Sequence, residues 1–271
     1  MKLDGNFVAE ELLKDKPDCT TALAIVSSGD DKASATYINT LKKLGSKLGV
    51  TVRHIVIPSD FTTEQFKEYI YDLNKDETVG SILVMYPLPK RYNKEDIADA
   101  VSPDKDIDCQ GAVRQGMGYR GGDMPCTPSA CLLFLLQYGF EIEGKKAVVV
   151  GRSNVVGKPL VELLSRFNAT VTLCHTKTVD LKSELLQADI IIAATGATHL
   201  ITPDMVKEGA IVIDAGISFK DGKICGDVHP DVYEKAICTP VPGGVGVVSN
   251  AVVFFKHATW ENMMKEELLN D

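Results

Sequence analysis

The sequence predicts an α/β protein of two domains, the second built on a doubly wound parallel sheet. Three observations predict it. Short apolar, β-branched runs alternate with helical patterns along nearly the whole chain. One such run, residues 145–150, ends in the glycine-bounded turn Gly151-Arg152-Ser153-Asn154-Val155-Val156-Gly157, which opens a helical pattern. A glycine- and proline-rich stretch at residues 118–128 supplies a junction between two sets of alternating elements.

The first set opens with an amphipathic helix over residues 6–13 and a strand over 21–26. A helix over 33–48 closes at Gly49, a residue suited to the left-handed turn after a helix. Strand 51–57, helix 63–74, strand 80–85 and helix 93–100 repeat the alternation. A connecting helix over 129–138 leads to the second set: strand 145–150, helix 160–167 and strand 170–174. The apolar runs 188–196 and 210–216 end in small residues, as buried parallel strands with ligand-facing carboxyl ends do. Residues 239–246, with two prolines and three glycines, exclude helix and interior strand. They read either as a structural loop or as one that lets a ligand approach the backbone. A final helix over 249–269 is long enough to leave the second domain and pack on the first. The expected domains are therefore residues 1–123 with 244–271, and residues 124–243.

The turn after residue 150 has the form by which a strand delivers a phosphate to a helix N-terminus, a Rossmann-type arrangement. The fit to G-x-G-x-x-G is imperfect, because Ser153 holds the second glycine position and Gly157 comes one residue late. A plain tight connection between strand and helix has the same pattern. About 20 residues past the turn, where an NAD site carries an acidic residue for the ribose hydroxyl, there is none. The strand runs instead into His175-Thr176-Lys177-Thr178, and Arg152 lies in the turn. Hydroxyl and cationic groups there favour NADP over NAD, unless Arg152 and Lys177 are ordinary solvated surface charges.

At 271 residues, 45% hydrophobic and 24% charged, the chain has enough apolar material for two cores. Its net charge of −8 argues against nucleic acid and anionic membrane as partners. No secretory signal and no apolar stretch of about 18 residues is visible, so a soluble, cytoplasmic protein is expected. The seven cysteines are odd in number and contain no C-x-x-C, and the five histidines are scattered. Reduced thiols and no metal site follow.

Several ordered motifs then resemble one family over nearly the full length, the bifunctional methylenetetrahydrofolate dehydrogenase/cyclohydrolases. They are Gly29-Asp30-Asp31-x-Ala33-Ser34-x-x-Tyr37, Pro87-Leu88-Pro89, Pro103-Asp104-Lys105-Asp106-Ile107-Asp108, Pro125-Cys126-Thr127-Pro128, the turn Gly151 to Pro159, and Thr239 to Gly246. The resemblance implies a tetrahydrofolate one-carbon derivative as substrate, a folate cleft between the domains, and a homodimer. It implies that Tyr37 lies against the aminobenzoyl part of folate and Asp108 bonds the pterin. On the residues alone, Tyr37 would be a half-buried helix tyrosine and Asp108 a turn or cap residue. The candidate substrate set is Tyr37, Leu41, Val84, Met85, Tyr86, Asp108, Pro242, Gly243, Gly244, Val245 and Gly246, with Tyr37 and Asp108 as the catalytic candidates. The candidate cofactor set is Gly151, Arg152, Ser153, Gly157, Thr176, Thr195, Gly196 and Ile217.

The departures from the family pattern fall on the folate side. Leu41 stands where the family has its cyclohydrolase lysine, and Met85 where it has the glutamine bonded to that lysine. Cys109 replaces a glycine, and Val247 and Val248 replace a proline and a methionine. Lys42 is turned by about 100° from the face shared with Tyr37, which argues against it as a substitute. Hydride transfer leaves a cation delocalised over two nitrogens and depends mainly on positioning, whereas hydrolysis of the methenyl product needs a titratable group in reach. The expectation is an NADP-dependent methylenetetrahydrofolate dehydrogenase with cyclohydrolase activity weak or lost. The alternatives are a fully bifunctional enzyme using another lysine, a different NADP-dependent dehydrogenase, and a non-catalytic folate- or nucleotide-binding relative.

Overall fold

The computed structural model describes the backbone of residues 1–220 and 222–270. The side chains of residues 32, 33 and 264–270, and with them Ala33 of the first motif and the expected helix end at Leu269, lie outside the described set. The chain divides into two compact units. One comprises Asp15–Met124 with Val253–Asp271, the other Met1–Lys14 with Pro125–Val252.

The first of these carries a three-stranded parallel sheet in the order β2-β1-β3, from β1 (Ala22–Ser28), β2 (Val52–Ile57) and β3 (Val79–Val84). Between them run α2 (Lys32–Lys47) and α3 (Thr63–Lys75), followed by α4 (Lys94–Ala100) and α5 (Ala112–Tyr119). Local sequence sets the helix starts: Asp31 accepts from Ser34 N, Thr62 and Gln65 form a reciprocal capping box, and Asn93 accepts from Glu95 N and Asp96 N. One face of the sheet, with Ala24, Val26, Ile57, Ile82 and Val84, is sealed by Phe66, Ile70 and Leu73 of α3 and Ile97 of α4. Residues 105–107 continue the sheet beside β3, with Ile82 N donating to Lys105 O at 2.7 Å and Ile82 bridging Asp106.

The second unit is a five-stranded parallel sheet in the order β10-β7-β6-β4-β5. Its strands are β4 (Lys146–Val150), β5 (Thr170–Cys174), β6 (Ile190–Ala193), β7 (Ile211–Asp214) and β10 (Ile237–Cys238). α1 (Gly5–Lys14), α6 (Cys126–Gln137), α7 (Gly157–Arg166) and α8 (Leu181–Leu186) belong to the same unit, and β8 (Ser218–Lys220) with β9 (Lys223–Cys225) forms an antiparallel hairpin. The chain leaves β4 toward β5 on one side and returns to β6 on the other. That switch of direction is where the carboxyl ends of such sheets open a crevice.

Three expectations need correction. Residues 1–14 were expected with the first unit but group with the second, because Leu3 N donates to Cys238 O at 2.8 Å and Phe7 meets Tyr138 edge-on at 5.6 Å. An amphipathic pattern gives a helix its buried face but not the surface that buries it. The helix expected to start at Leu160 starts at Gly157, with Pro159 in its first turn, where a missing N–H leaves no bond unmade. The final helix, α9 (Val245–Asn270), likewise takes in Val245 and Gly246, which the loop reading excluded. It runs 26 residues without a break. From Val253 on it groups with residues 15–124, where Phe254 lies against Gly45 and His257 bonds Ser81 at 3.0 Å. Among the described residues no helix is long and apolar enough to cross a membrane.

Candidate functional site

The turn after β4 has a shape that only glycine permits at its two ends. Gly151 has φ 119°, and a Cβ there would overlap the Ala194 carbonyl at the end of β6. A Cβ on Gly157 would overlap the Gly151 carbonyl. The loops after β4 and β6 therefore touch backbone to backbone. Ser153 Oγ accepts from Val156 N at 3.1 Å and Gly157 N at 3.4 Å, so this side chain shapes the turn from within. Arg152 is exposed. Val150 pairs with Cys174, which brings the end of β5 level with the turn. There His175 N donates to Thr178 Oγ1 at 2.9 Å and Lys177 N to His175 Nδ1 at 3.1 Å, a tight turn that leaves Thr176 and Lys177 exposed at its tip.

Thr195 and Gly196 are held by an acid that sequence reasoning missed. Asp227 Oδ2 accepts from Thr195 N (2.6 Å), Thr195 Oγ1 (2.8 Å) and Gly196 N (3.2 Å). Asp214, at the end of β7, accepts from Gly216 N, Asp227 N and Val228 N, and so fixes the strand that precedes the exposed Ile217. Burial, with Asp227 nearby, pushes the Asp214 carboxyl up to about 6. A small-residue strand ending in an acid was the available signal for Asp214. Asp227 had none.

Of the loop Pro242 to Gly246, Gly243 (φ 101°) and Gly244 sit against the first helix. Gly5 N donates to Gly243 O at 3.1 Å, and a Cβ on Gly5 would collide with the carbonyls of both. A Cβ on Gly246 would meet nothing within 4 Å, and Val245 is buried.

In the other unit, Tyr37 is half-buried on α2 and Leu41, one turn on, is fully buried. Met85, just after β3, is 8% exposed and donates its N–H to Val26 O. Val84 and Tyr86 turn the other way. Both pack on the α3–α4 core, and the Tyr86 phenol is pushed up by burial and then by Asp106 and Asp108. Only the backbone of these two is left for a ligand on the Met85 face. Asp108 Oδ2 accepts from Gln110 Nε2 at 2.7 Å, while the buried Asp106 accepts from Gly111 N and is pushed up by burial.

Behind this loop lies a lysine that sequence reasoning missed. Lys256 of α9, 8% exposed, donates to Ile107 O at 2.8 Å, Met124 O at 3.0 Å and Cys109 Sγ at 3.6 Å. Trp260 lies 4.9 Å from its ammonium, carries Arg114 at 4.2 Å, and donates to Asp123. Cys109 has φ 51°, in the left-handed region that favours glycine, and burial pushes its thiol up to about 11. A lysine on a long helix reads in sequence as a solvated charge, and nothing in the pattern marks this one as buried.

One further polar group links α2, β2 and β1. Lys42 Nζ lies 3.3 Å from His54 Nδ1, and His54 Nε2 lies 2.9 Å from Ser27 Oγ. The His54 ring is lowered by burial and then by Lys42, which keeps it neutral near pH 7. Cys19, His257 and Glu261 bring their ligand atoms within 4.8 Å of one another. Glu261, however, already accepts from the N–H and hydroxyl groups of Thr20 and Thr21, and both His257 nitrogens have partners. All seven cysteines are free thiols.

Residues 125–266 match the tetrahydrofolate dehydrogenase/cyclohydrolase NAD(P)-binding domain, and residues 5–108 match the catalytic domain of the same family. The chain belongs to the tetrahydrofolate dehydrogenase/cyclohydrolase family. It is 44% identical over 229 residues to the bifunctional protein FolD of Clostridium perfringens strain SM101, covering 83% of each chain. The bifunctional FolD enzyme of Campylobacter jejuni superposes with a TM-score of 0.91 at 36% identity, over 97% of this chain and 99% of that one. The Trypanosoma brucei dehydrogenase-cyclohydrolase, solved with NADP cofactor and an inhibitor, gives 0.89 at 30% identity and 98% coverage of both. Within this enzyme family, the two-domain α/β architecture and its NAD(P)-binding parallel sheet are those expected from the sequence.

Proposed function

We propose that this chain oxidises 5,10-methylenetetrahydrofolate to the 5,10-methenyl derivative with NADP, and that hydrolysis of the product trails oxidation. The observation that carries this reading is the intact phosphate turn, whose glycine ends are demanded by backbone contacts on both sides, beside a β5 tip that offers Thr176 and Lys177 and no acid. NADP supplies the hydride acceptor. Arg152 and the β5 tip suit its extra phosphate, and Asp227 presets the Thr195-Gly196 loop.

On the folate side the chain's task in oxidation is to hold and orient. Tyr37 offers a ring face to the aminobenzoyl group, and Asp108, kept in place by Gln110, offers an acceptor to the pterin edge. Leu41 and Met85 are buried and have no proton to give or take, so hydrolysis does not run through those positions. The test is the purified protein with methylenetetrahydrofolate and each nicotinamide cofactor, followed by reduced-nicotinamide and methenyl absorbance. Reduction of NADP well ahead of NAD, with transient methenyl accumulation, is expected. No reduction of either cofactor refutes the reading. Arg152→Ala should weaken NADP much more than NAD, and equal binding of both by the unmodified protein would refute the assignment of Arg152.

A further inference from the structure

The chain from Lys42 through His54 to Ser27 has a direction. A lysine ammonium donates only, so His54 Nδ1 accepts from it, and the ring proton then sits on Nε2 and is donated to Ser27 Oγ. With His54 Nε2 donating to it, the Ser27 hydroxyl cannot give its own proton to His54 and has that proton to donate elsewhere. A cation at one end and a hydroxyl donor at the other make a path for delivering protons. It cannot serve as a base while Lys42 is charged.

Its placement follows from the sheet. Paired residues of a parallel sheet project to one face, so Ile25, His54 and Leu83 share a face. Ser27 and Met85, two residues beyond Ile25 and Leu83, share it too. Both stand at the carboxyl ends of their strands, and Val26 O accepts from Met85 N at 2.8 Å, so the two are cross-strand neighbours. Lys42 is indeed rotated by about 100° from Leu41. Because α2 packs along the edge strand β2, that rotation turns its side chain toward His54 on β2.

We propose that Lys42, His54 and Ser27 form a proton-delivery chain that carries the hydrolytic step in this protein, with Ser27 as its catalytic end and His54 and Lys42 as positioning residues behind it. The inference rests on the folate reading of this site. Water adds to the methenyl carbon, forming a C–O bond and releasing one proton to solvent. As the carbinolamine collapses, one C–N bond breaks and its electron pair goes to nitrogen, which takes the Ser27 hydroxyl proton. Ser27 is recharged from His54 Nε2 while His54 takes a proton at Nδ1 from Lys42; the half-buried ring then returns that proton to Lys42 and takes one at Nε2 from solvent, which restores the resting tautomer. The carbinolamine hydroxyl loses its proton to solvent as the formyl C=O forms. The net change is methenyl cation plus water to formyl product plus one proton.

The experiment measures two rates on each protein, loss of methenyl absorbance from added methenyltetrahydrofolate and NADPH formation from methylenetetrahydrofolate. The unmodified protein should hydrolyse the methenyl compound faster than buffer. Ser27→Ala and His54→Gln should each lower the ratio of hydrolysis to hydride transfer by about tenfold or more, whereas Ser27→Thr, which keeps the hydroxyl, should restore most of it. A merely structural role would lower both rates together and leave the ratio unmoved, and that result would overturn the inference. So would hydrolysis by the unmodified protein no faster than buffer. If the unmodified protein reduces neither cofactor, the substrate reading fails and takes this inference with it. If it reduces NADP but the ratio is unchanged in both variants, this inference alone fails.

Discussion

Restoring a lysine at position 41 puts a charge where the structure has none. Leu41 is 0% exposed and Met85 8%. Leu41→Lys gives up about 1.5–3 kcal/mol of apolar burial and adds a desolvation penalty of several kcal/mol for an ammonium with no arranged partner. Part of that penalty is escaped if the lysine deprotonates, so a net loss of about 4 kcal/mol is expected. Met85→Gln alone should cost about 1–2 kcal/mol, since it buries an amide without a partner. Together, an amide oxygen facing the ammonium should return about 1.5–3 kcal/mol, the worth of a hydrogen bond to a charged group. Urea unfolding of the four proteins at pH 7 gives the coupling directly. The double variant should also hydrolyse methenyltetrahydrofolate faster than the unmodified protein, and Leu41→Lys alone should do so less. A Leu41→Lys protein as stable as the unmodified one, or a coupling within about 0.5 kcal/mol of zero, refutes the reasoning, because the side chains would then not meet.

Gly157→Ala forces the turn open, since its Cβ falls on the Gly151 carbonyl; NADP binding measured by calorimetry should weaken by about tenfold or more, or about 1.4 kcal/mol. Lys256→Met removes the hydrogen bonds its ammonium gives to the carbonyls of Ile107 and Met124 but also removes a buried charge, so the urea midpoint should report a net loss of about 2 kcal/mol. His257 is lowered from 6.5 by burial, so the stability it contributes is present above that value and lost as pH falls through its folded pKa. Melting temperature should therefore drop less between pH 7.5 and 5.5 in His257→Gln. The opposite contribution of Asp214, lost as pH rises toward about 6, is common to both proteins and cancels in the difference.

What the sequence revealed and what it hid divide along physical lines. Strands β1, β3, β4, β6 and β7 are legible as mostly apolar runs bounded by turn residues, the half-exposed β2 and β5 through their β-branched residues, and α2, α3, α4, α6 and α7 through helical apolar spacing. β10 is two residues long and β8 and β9 three each, too short for any period to register. α5, with glycines at 116 and 118, has a composition that reads as loop. In the candidate site the glycines were legible, since a positive φ or a missing Cβ leaves a mark in residue type. The charged residues were not. Lys256, Asp227 and His54 owe their roles to partners 147, 32 and 27 residues away, and a lysine in a helix gives no sign of which surface it meets. Lys42 is the instructive case: helix geometry turns it about 100° from Leu41, but the strand lying on that side is not visible in the sequence.

The pairing of residues 1–3 with β10 has a bearing on how this protein is handled in concentrated solution. β10 borders its sheet, and an uncovered border strand offers a row of unpaired N–H and C=O groups to any other chain. Here Cys238 N donates to Met1 O at 3.0 Å and Leu3 N to Cys238 O at 2.8 Å, so the chain's own first residues occupy that row. With Leu3 1% exposed, the cover is anchored as well as hydrogen-bonded. Trimming these residues, or pulling them away with a fusion partner, would turn the border into a template for chain-to-chain pairing, so material altered at this end should be the more prone to self-associate on storage.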